Sequence, residues 1–343
     1  MLRFGTQISL DHPWGELGSV PGYAKQLEEW GYDCIWCPDE RFERNPYVVL
    51  TLAAHATERV KLGVSVTNPY TRHPLITGAA AATVNEASGG RAVLGLGAGA
   101  SSLFERQGIE RPNPPVASIR EAIEILRPFM GSERVSHEGK THRFTGANID
   151  FESRPVPIYI TARGPRLLQL AGEVADGVII GSLTSEEGLR YALENVRLGL
   201  ERSDRDPGEF DVVLWAYTAI SEDEEAAKDR VRRLVVSSMW SSRGVIDRLG
   251  LDEGEWMPLE DEMRAGFRKG LPPREVYASA ARKLSDGLIE AWSLAGDIES
   301  VARRVEGAKK AGVKQVAILA LGGSRSDRLE TQRAFAEGVM RRV

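Results

Sequence analysis

The sequence predicts a closed (β/α)8 barrel, the TIM-barrel class, on the basis of two observations. Short apolar runs alternate with longer segments of helical period, which is typical of βα units in a parallel sheet. Eight such units fit within the 343 residues, and no linker separates them. An open doubly wound sheet is the alternative, but such sheets rarely sustain eight regular units without a domain break. We therefore expect one domain covering residues 1–343.

The first half of the chain supplies four strand–helix units. Strands are predicted at 4–9, 33–37, 60–66 and 92–96, and helices at 20–30, 47–56, 75–87 and 118–130. Ser118 and Glu121 have the spacing of a capping box at the start of the fourth helix. Residues 135–151 then alternate apolar and polar side chains around two glycines, which predicts a β-hairpin excursion after that helix.

The second half repeats the pattern with one interruption. Strands are predicted at 158–161, 177–180, 211–219 and 315–319, and helices at 167–174, 188–201, 222–236, 298–311 and 328–340. Residues 237–295 lack this regular alternation and contain Met-Pro and Leu-Pro-Pro breaks. We interpret this segment as an insertion before the last helix pair.

Charge and composition exclude several classes of function. The net charge of -5 lacks the basic excess that a general nucleic-acid binder needs. No apolar run reaches the roughly 20 residues of a membrane helix, and the first residues lack the regions of a signal peptide. We therefore expect a cytoplasmic protein that binds neither membranes nor nucleic acid.

The sequence offers no convincing metal or thiol site. The five histidines lack metal-ligand spacing, so no metal is expected. Cys34 and Cys37 form a Cys-x-x-Cys, but they lie in a strand-like apolar run instead of opening a helix. A structural role for both thiols is therefore favoured over a redox or zinc site.

In a barrel of this class, functional residues lie at the C-terminal ends of the strands. The first strand ends at Gln7, a neutral amide that can bind a ligand or can serve as a satisfied interior group. The second ends at Asp39 and Glu40, which are candidates for hydrogen-bonding a ligand ring or for acid–base work. The alternative is a helix cap by Asp39 with Glu40 on the surface.

The next two strand ends carry a Pro-bounded polar run and a glycine series. The third strand leads through Ser65, Val66, Thr67 and Asn68 to Pro69, which ends it. The fourth leads into Gly97, Ala98 and Gly99, the last part of a Gly-x-Gly-x-Gly series. Glycines at alternate positions allow a flat ligand or a phosphate to approach the backbone closely, although this motif alone is a weak signal.

The fifth strand end predicts an anion site. It comprises Ala162, Arg163, Gly164 and Pro165, and a helix begins there at once. Free backbone amides at a helix start bind phosphate, and Pro suits the first helical turn. An ordinary strand–helix junction with a surface arginine is the alternative. The coincidence of glycine, helix start and positive charge favours phosphate.

Several blocks resemble one known family, and the match covers nearly the whole chain in order apart from 237–295. The blocks are 63–70, 88–95, 119–126 and 170–177, together with Phe4-Gly5, Asp39 and Gly164-Pro165. They are similar to methylenetetrahydromethanopterin reductases, which belong to the coenzyme F420-dependent branch of the bacterial-luciferase superfamily. The Val66-Thr67-Asn68-Pro69-Tyr70 and Ser88-Gly89-Gly90-Arg91-Ala92 blocks are fairly specific for this branch.

The resemblance implies a cofactor and its placement. It implies coenzyme F420, held by a bulge in the third strand that contains a non-prolyl cis peptide, here Ser65–Val66, behind the deazaflavin ring. It further implies that Asp39 lies near the ring and that 162–165 contact the cofactor phosphate. Relatives in this family are commonly dimers or larger, so a homo-oligomer is expected.

The chain departs from the reductases on the substrate side. Gln7 and Ala100 stand where those enzymes have acidic residues, and Glu40 stands where they have a histidine. Glu121 and Glu124 remain in the helix that carries a third acid there. The cofactor part of the pattern is thus kept, while the substrate part is altered. Gln7, Glu40 and Glu121 are the candidates for catalysis, the two glutamates for proton transfer.

These observations give one expected function and two alternatives. The first is an F420-dependent oxidoreductase that moves a hydride between deazaflavin C5 and a small organic molecule, possibly a methylene-tetrahydropterin or a methylene-tetrahydrofolate. The second is an FMN-dependent monooxygenase on the same barrel. The third is a non-catalytic barrel that binds a flavin-like molecule, since fold alone does not determine function.

Overall fold

A computed structural model describes residues 1–8, 15–39, 43–99, 104, 108–110 and 113–343. The strands within these residues are β1 (Arg3–Gln7), β2 (Cys34–Cys37), β3 (Lys61–Thr67), β4 (Ala92–Leu96), β5 (Val135–Glu138), β6 (Arg143–Ala147), β7 (Ile158–Ala162), β8 (Gly177–Gly181), β9 (Asp211–Ile220), β10 (Ser293–Gly296) and β11 (Gln315–Ala320). All eight predicted barrel strands and both strands of the predicted hairpin are present.

The main sheet closes on itself. Parallel pairing runs through β11, β1, β2, β3, β4, β7 and β8, and β9 pairs with both β8 and β11. The ring therefore has eight parallel strands with helices outside, and the predicted (β/α)8 barrel is confirmed. The open-sheet alternative is excluded because β9 joins the two ends of the ring.

Helices cover the outside of the ring. They are α1 (Val20–Glu29), α2 (Pro46–Ala56), α3 (Pro74–Ala87), α4 (Pro115–Met130), α5 (Pro165–Val174), α6 (Glu186–Arg202), α7 (Glu224–Ser242), α8 (Glu253–Arg268), α9 (Pro273–Ala281), α10 (Asp286–Trp292), α11 (Ile298–Ala311) and α12 (Arg325–Ala334). Several begin on proline, which lacks the N–H that a first helical residue cannot pair. No helix in the described ranges is long and apolar enough to cross a membrane.

The predicted capping box of α4 is wrong. The helix begins at Pro115, one turn before Ser118, and its N-cap Pro114 offers no side-chain hydrogen bond. Ser118 is consequently buried inside the helix, where its hydroxyl has no partner among the described residues. The helix begins at Pro115 because the fixed φ angle of proline suits the first helical turn. Ser118 therefore does not lie at the helix start.

The segment 237–295 is more regular than predicted. Helix α7 continues to Ser242, helices α8, α9 and α10 follow, and β10 pairs in parallel with Tyr217–Ile220 at the end of β9. β10 was not predicted because its four residues, Ser-Leu-Ala-Gly, contain no β-branched residue and no clear alternation. The segment therefore adds a strand beside the C-terminal end of the ring, where β9 extends beyond β8.

The inside of the barrel is a separate apolar cluster. Its buried members are Cys34, Trp36, Val93, Tyr159, Ile179, Val213 and Ala317. The Trp36 ring lies against Gly5 and Gly63 on the neighbouring strands, where a Cβ atom would come within 2.8 Å and 2.2 Å of it. Cys34 and Cys37 are buried and unpaired, and burial raises the pKa of both thiols. The structural interpretation of this Cys-x-x-Cys is supported.

Candidate active site at the C-terminal end of the barrel

The barrel interior is open to solvent at the C-terminal ends of several strands. Every second side chain of a barrel strand points inward. The inward-pointing residues between the buried interior cluster and the C-terminal ends of the strands can therefore be identified. They are Gln7, Val66, Thr161, Gly181, Trp215, Tyr217 and Leu319, and each is partly exposed. These positions lie at or near the C-terminal ends of their strands. The result is a cup whose floor is formed by the barrel itself, at the end where active sites of this fold class lie.

The cis peptide expected at Ser65–Val66 is present. The pairing of β3 with β4 shifts its register between Val64 and Thr67, so the strand bulges at this point. The bulge directs the Val66 side chain onto the interior cluster, and the residue remains partly exposed. Val66 thus lies at the floor of the cup, as the resemblance implied for a residue behind a cofactor ring.

The glycines at the end of β4 and after it pack closely against other parts of the chain. A Cβ atom on Gly97 would lie 2.7 Å from Val66 Cγ2, and one on Gly95 would lie 2.4 Å from the Val64 carbonyl oxygen and 2.9 Å from Val66 Cγ1. A Cβ on Gly99, which has φ +63°, would lie 2.2 Å from the Phe104 ring. Backbone and side-chain atoms of the chain itself therefore lie where these residues would carry a side chain. Contacts of Gly97, Ala98 and Gly99 with a ligand stay a prediction.

Asn68 shapes the loop that follows β3. The residue is buried, and its Oδ1 accepts hydrogen bonds from the backbone N–H groups of Tyr70 and Thr71, both at 3.0 Å. Thr67 is also buried, and its carbonyl accepts from Gly97 N at 2.9 Å. These bonds fix the turn at the rim of the cup. Both residues therefore have a structural role beside any contact with a ligand.

Asp39 forms a two-point ion pair with Arg72. The guanidinium donates from Nε to Asp39 Oδ2 at 3.0 Å and from Nη2 to Oδ1 at 3.2 Å, and it lies over the Tyr47 ring. Asp39 does not cap α2, because Asn45 does so. The alternative of a helix cap is therefore wrong. The pair holds the ends of β2 and β3 together and presents an oriented carboxylate at the rim.

The three catalytic candidates have unequal support. Gln7 lies at the end of β1, and its backbone carbonyl accepts a hydrogen bond from Gln332 Nε2 at 3.3 Å. Glu40, like Ala100, lies outside the described residues. The Glu121 carboxylate accepts from Thr141 N at 3.0 Å and from His142 N at 2.7 Å, at the tip of the β5–β6 hairpin.

These bonds give Glu121 a structural function. Burial tends to raise the pKa of its carboxyl, but the N–H groups of His142 and Thr141 outweigh burial and lower the pKa. A carboxylate that is held in this way joins α4 to the hairpin and is a poor proton donor at neutral pH. Its role in proton transfer stays a prediction without further support from the geometry.

The predicted anion site is built by the end of β7 and the start of α5. Ala162 is the last residue of β7, Gly164 is the N-cap of α5, and Pro165 is its first residue. The N-cap is a glycine and so provides no side-chain cap. Apart from Gly164 and its two chain neighbours, no atom of the described residues lies within 4 Å of the point where Gly164 would carry a Cβ, so the space beside it is open. The free amides of the first turn can therefore reach an anion there.

Arg163 adds a cation to this corner. Its guanidinium donates to the Ser238 hydroxyl and, from Nη2, to Ser241 Oγ at 3.0 Å. No carboxylate of the described residues pairs with it. Burial lowers the pKa of Arg163, an effect that nearby Tyr217 partly offsets. A partly exposed guanidinium with no carboxylate beside a free helix start is suited to a phosphate.

The sequence analysis missed several residues of the cup. Thr161 Oγ1 is buried, has no hydrogen-bond partner among the described residues, and lies beside Gly97 and Val66. Trp215 and Tyr217 contribute aromatic surface from β9. The strand-end rule could have found Thr161, since it directly precedes Ala162. Tyr217 was hidden because β9 extends beyond the usual strand length and its end borders β10.

Comparison with known proteins agrees with this arrangement. The family model of luciferase-like monooxygenases matches residues 3–315. A 5,10-methylenetetrahydromethanopterin reductase of Archaeoglobus fulgidus is 36% identical over 316 residues, which cover 92% of each chain. An F420-dependent glucose-6-phosphate dehydrogenase of Kineococcus radiotolerans is 28% identical over 325 residues, covering 90% of this chain and 89% of the relative.

A solved structure is similar over the full length. The coenzyme F420-dependent tetrahydromethanopterin reductase from Methanopyrus kandleri superposes with a TM-score of 0.84 at 28% identity, covering 99% of both chains. This agreement includes the part of the chain beyond the family model, and the cis peptide that the sequence blocks implied is present. A phosphate contact of residues 162–165, called the anion corner below, stays a prediction. The chain therefore belongs to the luciferase-like monooxygenase family.

Proposed function

We propose that this protein is a coenzyme F420-dependent oxidoreductase that transfers a hydride between the cofactor and a small organic substrate. The observation that carries the proposal is the anion corner of Arg163 and Gly164 beside the Val66 bulge. Two of the relatives above, the Kineococcus dehydrogenase and the Methanopyrus reductase, are named as F420-dependent. Bound deazaflavin supplies a hydride donor or acceptor at C5, and the protein supplies orientation and exclusion of water.

The residues of the cup fit such a cofactor. Val66 would support the back of the ring, with Ser65, Thr67 and Asn68 fixing the bulge and the loop after it. Asp39 would accept a hydrogen bond at the rim. The 162–165 corner would hold the phosphate through helix-start amides and the Arg163 guanidinium. The Thr161 hydroxyl, which has no hydrogen-bond partner in the described part of the chain, would offer the cofactor a further polar contact.

The substrate proposal is narrower than the cofactor proposal. We infer a small molecule of the methylene-tetrahydropterin or methylene-tetrahydrofolate type, because the Archaeoglobus relative is named as a reductase of such a compound. Gln7 at the floor of the cup offers a neutral amide, which can orient a pterin-like ring but cannot exchange a proton at neutral pH. Glu40 is the remaining candidate for proton transfer.

A fluorescence titration tests the cofactor. Oxidised F420 and FMN are titrated in parallel into the purified protein, and reduced cofactor is then mixed with pterin, folate and enone substrates. We expect tight binding of F420, weak binding of FMN, and substrate-dependent reoxidation of reduced F420. Tight FMN binding with no response to F420 would instead support a flavin monooxygenase, and binding without any reoxidation would support a non-catalytic barrel.

We also propose a homodimer in which α2 and α3 form the contact. Surface helices normally carry a charged outer face, and a helix that is apolar all round is usually covered. Helix α2 contains no Asp, Glu, Lys or Arg, yet Val48 on it is 49% exposed, and Ile76 on the adjacent α3 is 62% exposed. Sedimentation should give a dimer that Ile76→Glu converts to monomer.

The two unpaired cysteines suit a reducing compartment, so we place the protein in the cytoplasm.

A further inference from the structure

The Arg163 side chain joins the anion corner to α7, the helix whose last residues begin the 237–295 segment. Its guanidinium passes Gly181 at the end of β8 and reaches Ser238 and Ser241, 75 and 78 residues along the chain. The two serines are one helical turn apart, so both hydroxyls lie on the same face of α7. Arg163 therefore takes its direction from a helix outside the strand–loop–helix unit that carries it.

The hydroxyls orient the cation but do not neutralise it. A guanidinium has five N–H donors, of which these bonds use one from each terminal nitrogen. The Ser241 hydroxyl itself donates to the Ser238 carbonyl at 2.8 Å, so its oxygen lone pairs are left to accept from Arg163. The remaining donors of Arg163 are available to a ligand that brings negative charge. Removing such a cation from water without a counter-charge is costly, which favours an anion in the working protein.

We propose that Ser238 and Ser241 are positioning residues that direct Arg163 toward the cofactor phosphate, and that they thereby set the preference for a phosphorylated deazaflavin. This inference rests on the proposed function. It assigns part of the cofactor specificity to α7, whose C-terminal residues belong to the segment that the sequence blocks matched poorly. The proposal requires no contact between either serine and the cofactor, because each serine acts through Arg163.

The test compares two ligands that differ in the phosphate. Affinities are measured by fluorescence for F420 and for the same deazaflavin carrying the ribityl chain without phosphate. In Ser238→Ala and Ser241→Ala we expect F420 binding to weaken about 3- to 10-fold, because each variant frees the cation from one bond. Binding of the phosphate-free deazaflavin should not change. In an Arg163→Gln background the serine substitutions should have no further effect on F420.

The same helix provides a matched control. Ser242 is buried, and its hydroxyl has no hydrogen-bond partner within the described part of the chain, so Ser242→Ala should leave both affinities unchanged. Ser241→Thr retains the hydroxyl at an exposed position and should bind F420 as the unmodified protein does. Ser238 is buried, so if its variant folds poorly, the exposed Ser241 pair of variants carries the test alone.

The outcomes separate this inference from the function on which it rests. If the unmodified protein has no affinity for F420, the proposed function fails and the inference fails with it. If the unmodified protein binds F420 but Ser241→Ala binds it equally well, or if both ligands weaken alike, only the positioning role is overturned. The positioning role is supported if Ser241→Ala weakens the binding of F420 but not of the phosphate-free deazaflavin. It further requires that Ser241→Thr retains F420 affinity and that Ser241→Ala has no further effect in the Arg163→Gln background.

Discussion

The two ends of the barrel each hold a partly buried arginine, and the two are treated differently. At the N-terminal end, Arg3 on β1 pairs with Asp211 on β9, and Tyr159 on β7 donates to the same carboxylate. Burial alone would lower the pKa of Arg3, but the charge and the hydrogen bond of Asp211, with smaller contributions from Tyr159 and Asp33, together outweigh burial and raise the pKa. At the C-terminal end, the partners of the Arg163 guanidinium among the described residues are hydroxyls, and burial lowers its pKa.

This difference separates a structural end of the barrel from a binding end. The charge of Arg3 at the N-terminal end is neutralised within the fold by Asp211, so this arginine does not need an anionic ligand. The cation at the C-terminal end keeps unused donors beside a free helix start. A group left without its counter-charge in a folded protein is a better indication of a ligand than the number of charges, because the fold alone does not satisfy it.

The largest expected effect is at the N-cap of α5. Gly164→Glu fills the open space beside this residue and places a carboxylate where the phosphate is proposed. We expect F420 affinity to fall by roughly 100-fold or more through charge repulsion, with little change in thermal unfolding. Gly22→Glu is the control, since it adds the same charge at another glycine with open surroundings. Unchanged affinity in Gly164→Glu would refute the phosphate assignment.

Substitutions at the two arginine sites should have opposite effects on F420 affinity and on the free energy of unfolding. Arg163→Gln should weaken F420 binding about 10-fold with a nearly unchanged free energy of unfolding, because no carboxylate of the described residues loses a partner. Asp211→Asn should lower the free energy of unfolding by about 1–2 kcal/mol, since Arg3 is a third exposed and the pair is partly screened. Its F420 affinity should not change.

Denaturant unfolding and ligand titration of both variants check this contrast. A loss of stability in Arg163→Gln equal to that in Asp211→Asn would mean that the fold requires both arginines. In that case the difference between the two ends of the barrel, on which the cofactor proposal partly depends, would not hold.

A smaller effect, on stability and its pH dependence, is expected where Glu121 meets the β5–β6 hairpin. The pKa of Glu121 is lower in the folded state, so its stabilising effect is present at neutral pH and is lost as the pH falls through that pKa. Glu121→Gln should lower the free energy of unfolding by about 1–2 kcal/mol at pH 7. The difference should shrink below pH of about 4.3, the ordinary value for glutamate. Exposed Glu124 on the same helix provides the control substitution, and a difference independent of pH would contradict the carboxylate's role.

The smallest effect is expected at the two thiols. Burial raises the pKa of Cys34 and of Cys37, so neither forms a reactive thiolate in the folded protein. Ellman's reagent should react with neither in the native state and with both after unfolding. One rapidly reacting thiol in the native protein would restore the redox interpretation of this Cys-x-x-Cys.

Much of the scaffold was predictable because its causes are local. The eight barrel strands and the hairpin follow from runs and alternations within a few residues, and β4 is found at its predicted bounds. The helix start that forms the proposed anion corner was also predictable, since Gly164 and Pro165 directly follow a strand. The cis peptide at Ser65–Val66 required the resemblance, because nothing in the local composition indicates it.

The errors concern residues whose partners are distant in sequence. Glu121 has the spacing of a capping residue, but the donors that its carboxylate meets are 20 and 21 residues away on the hairpin. Packing also explains Gly95 and Gly97, since a Cβ atom would lie 2.4 Å from the Val64 carbonyl oxygen and 2.7 Å from Val66 Cγ2, respectively. Packing decided the role of Glu121, whereas a contact of Gly97 with a ligand stays a prediction.

The sequence by itself determined the order of the elements and the fold class, and it predicts a phosphate site at the end of β7. These depend on periodicity and on the backbone preferences of glycine and proline, which act over a few residues. Only the tertiary structure decided which arginine is neutralised. Asp211 reaches Arg3 across 208 residues, and Arg163 meets serines 75 and 78 residues away. Charge compensation depends on distance in space, and closure of the barrel sets that distance.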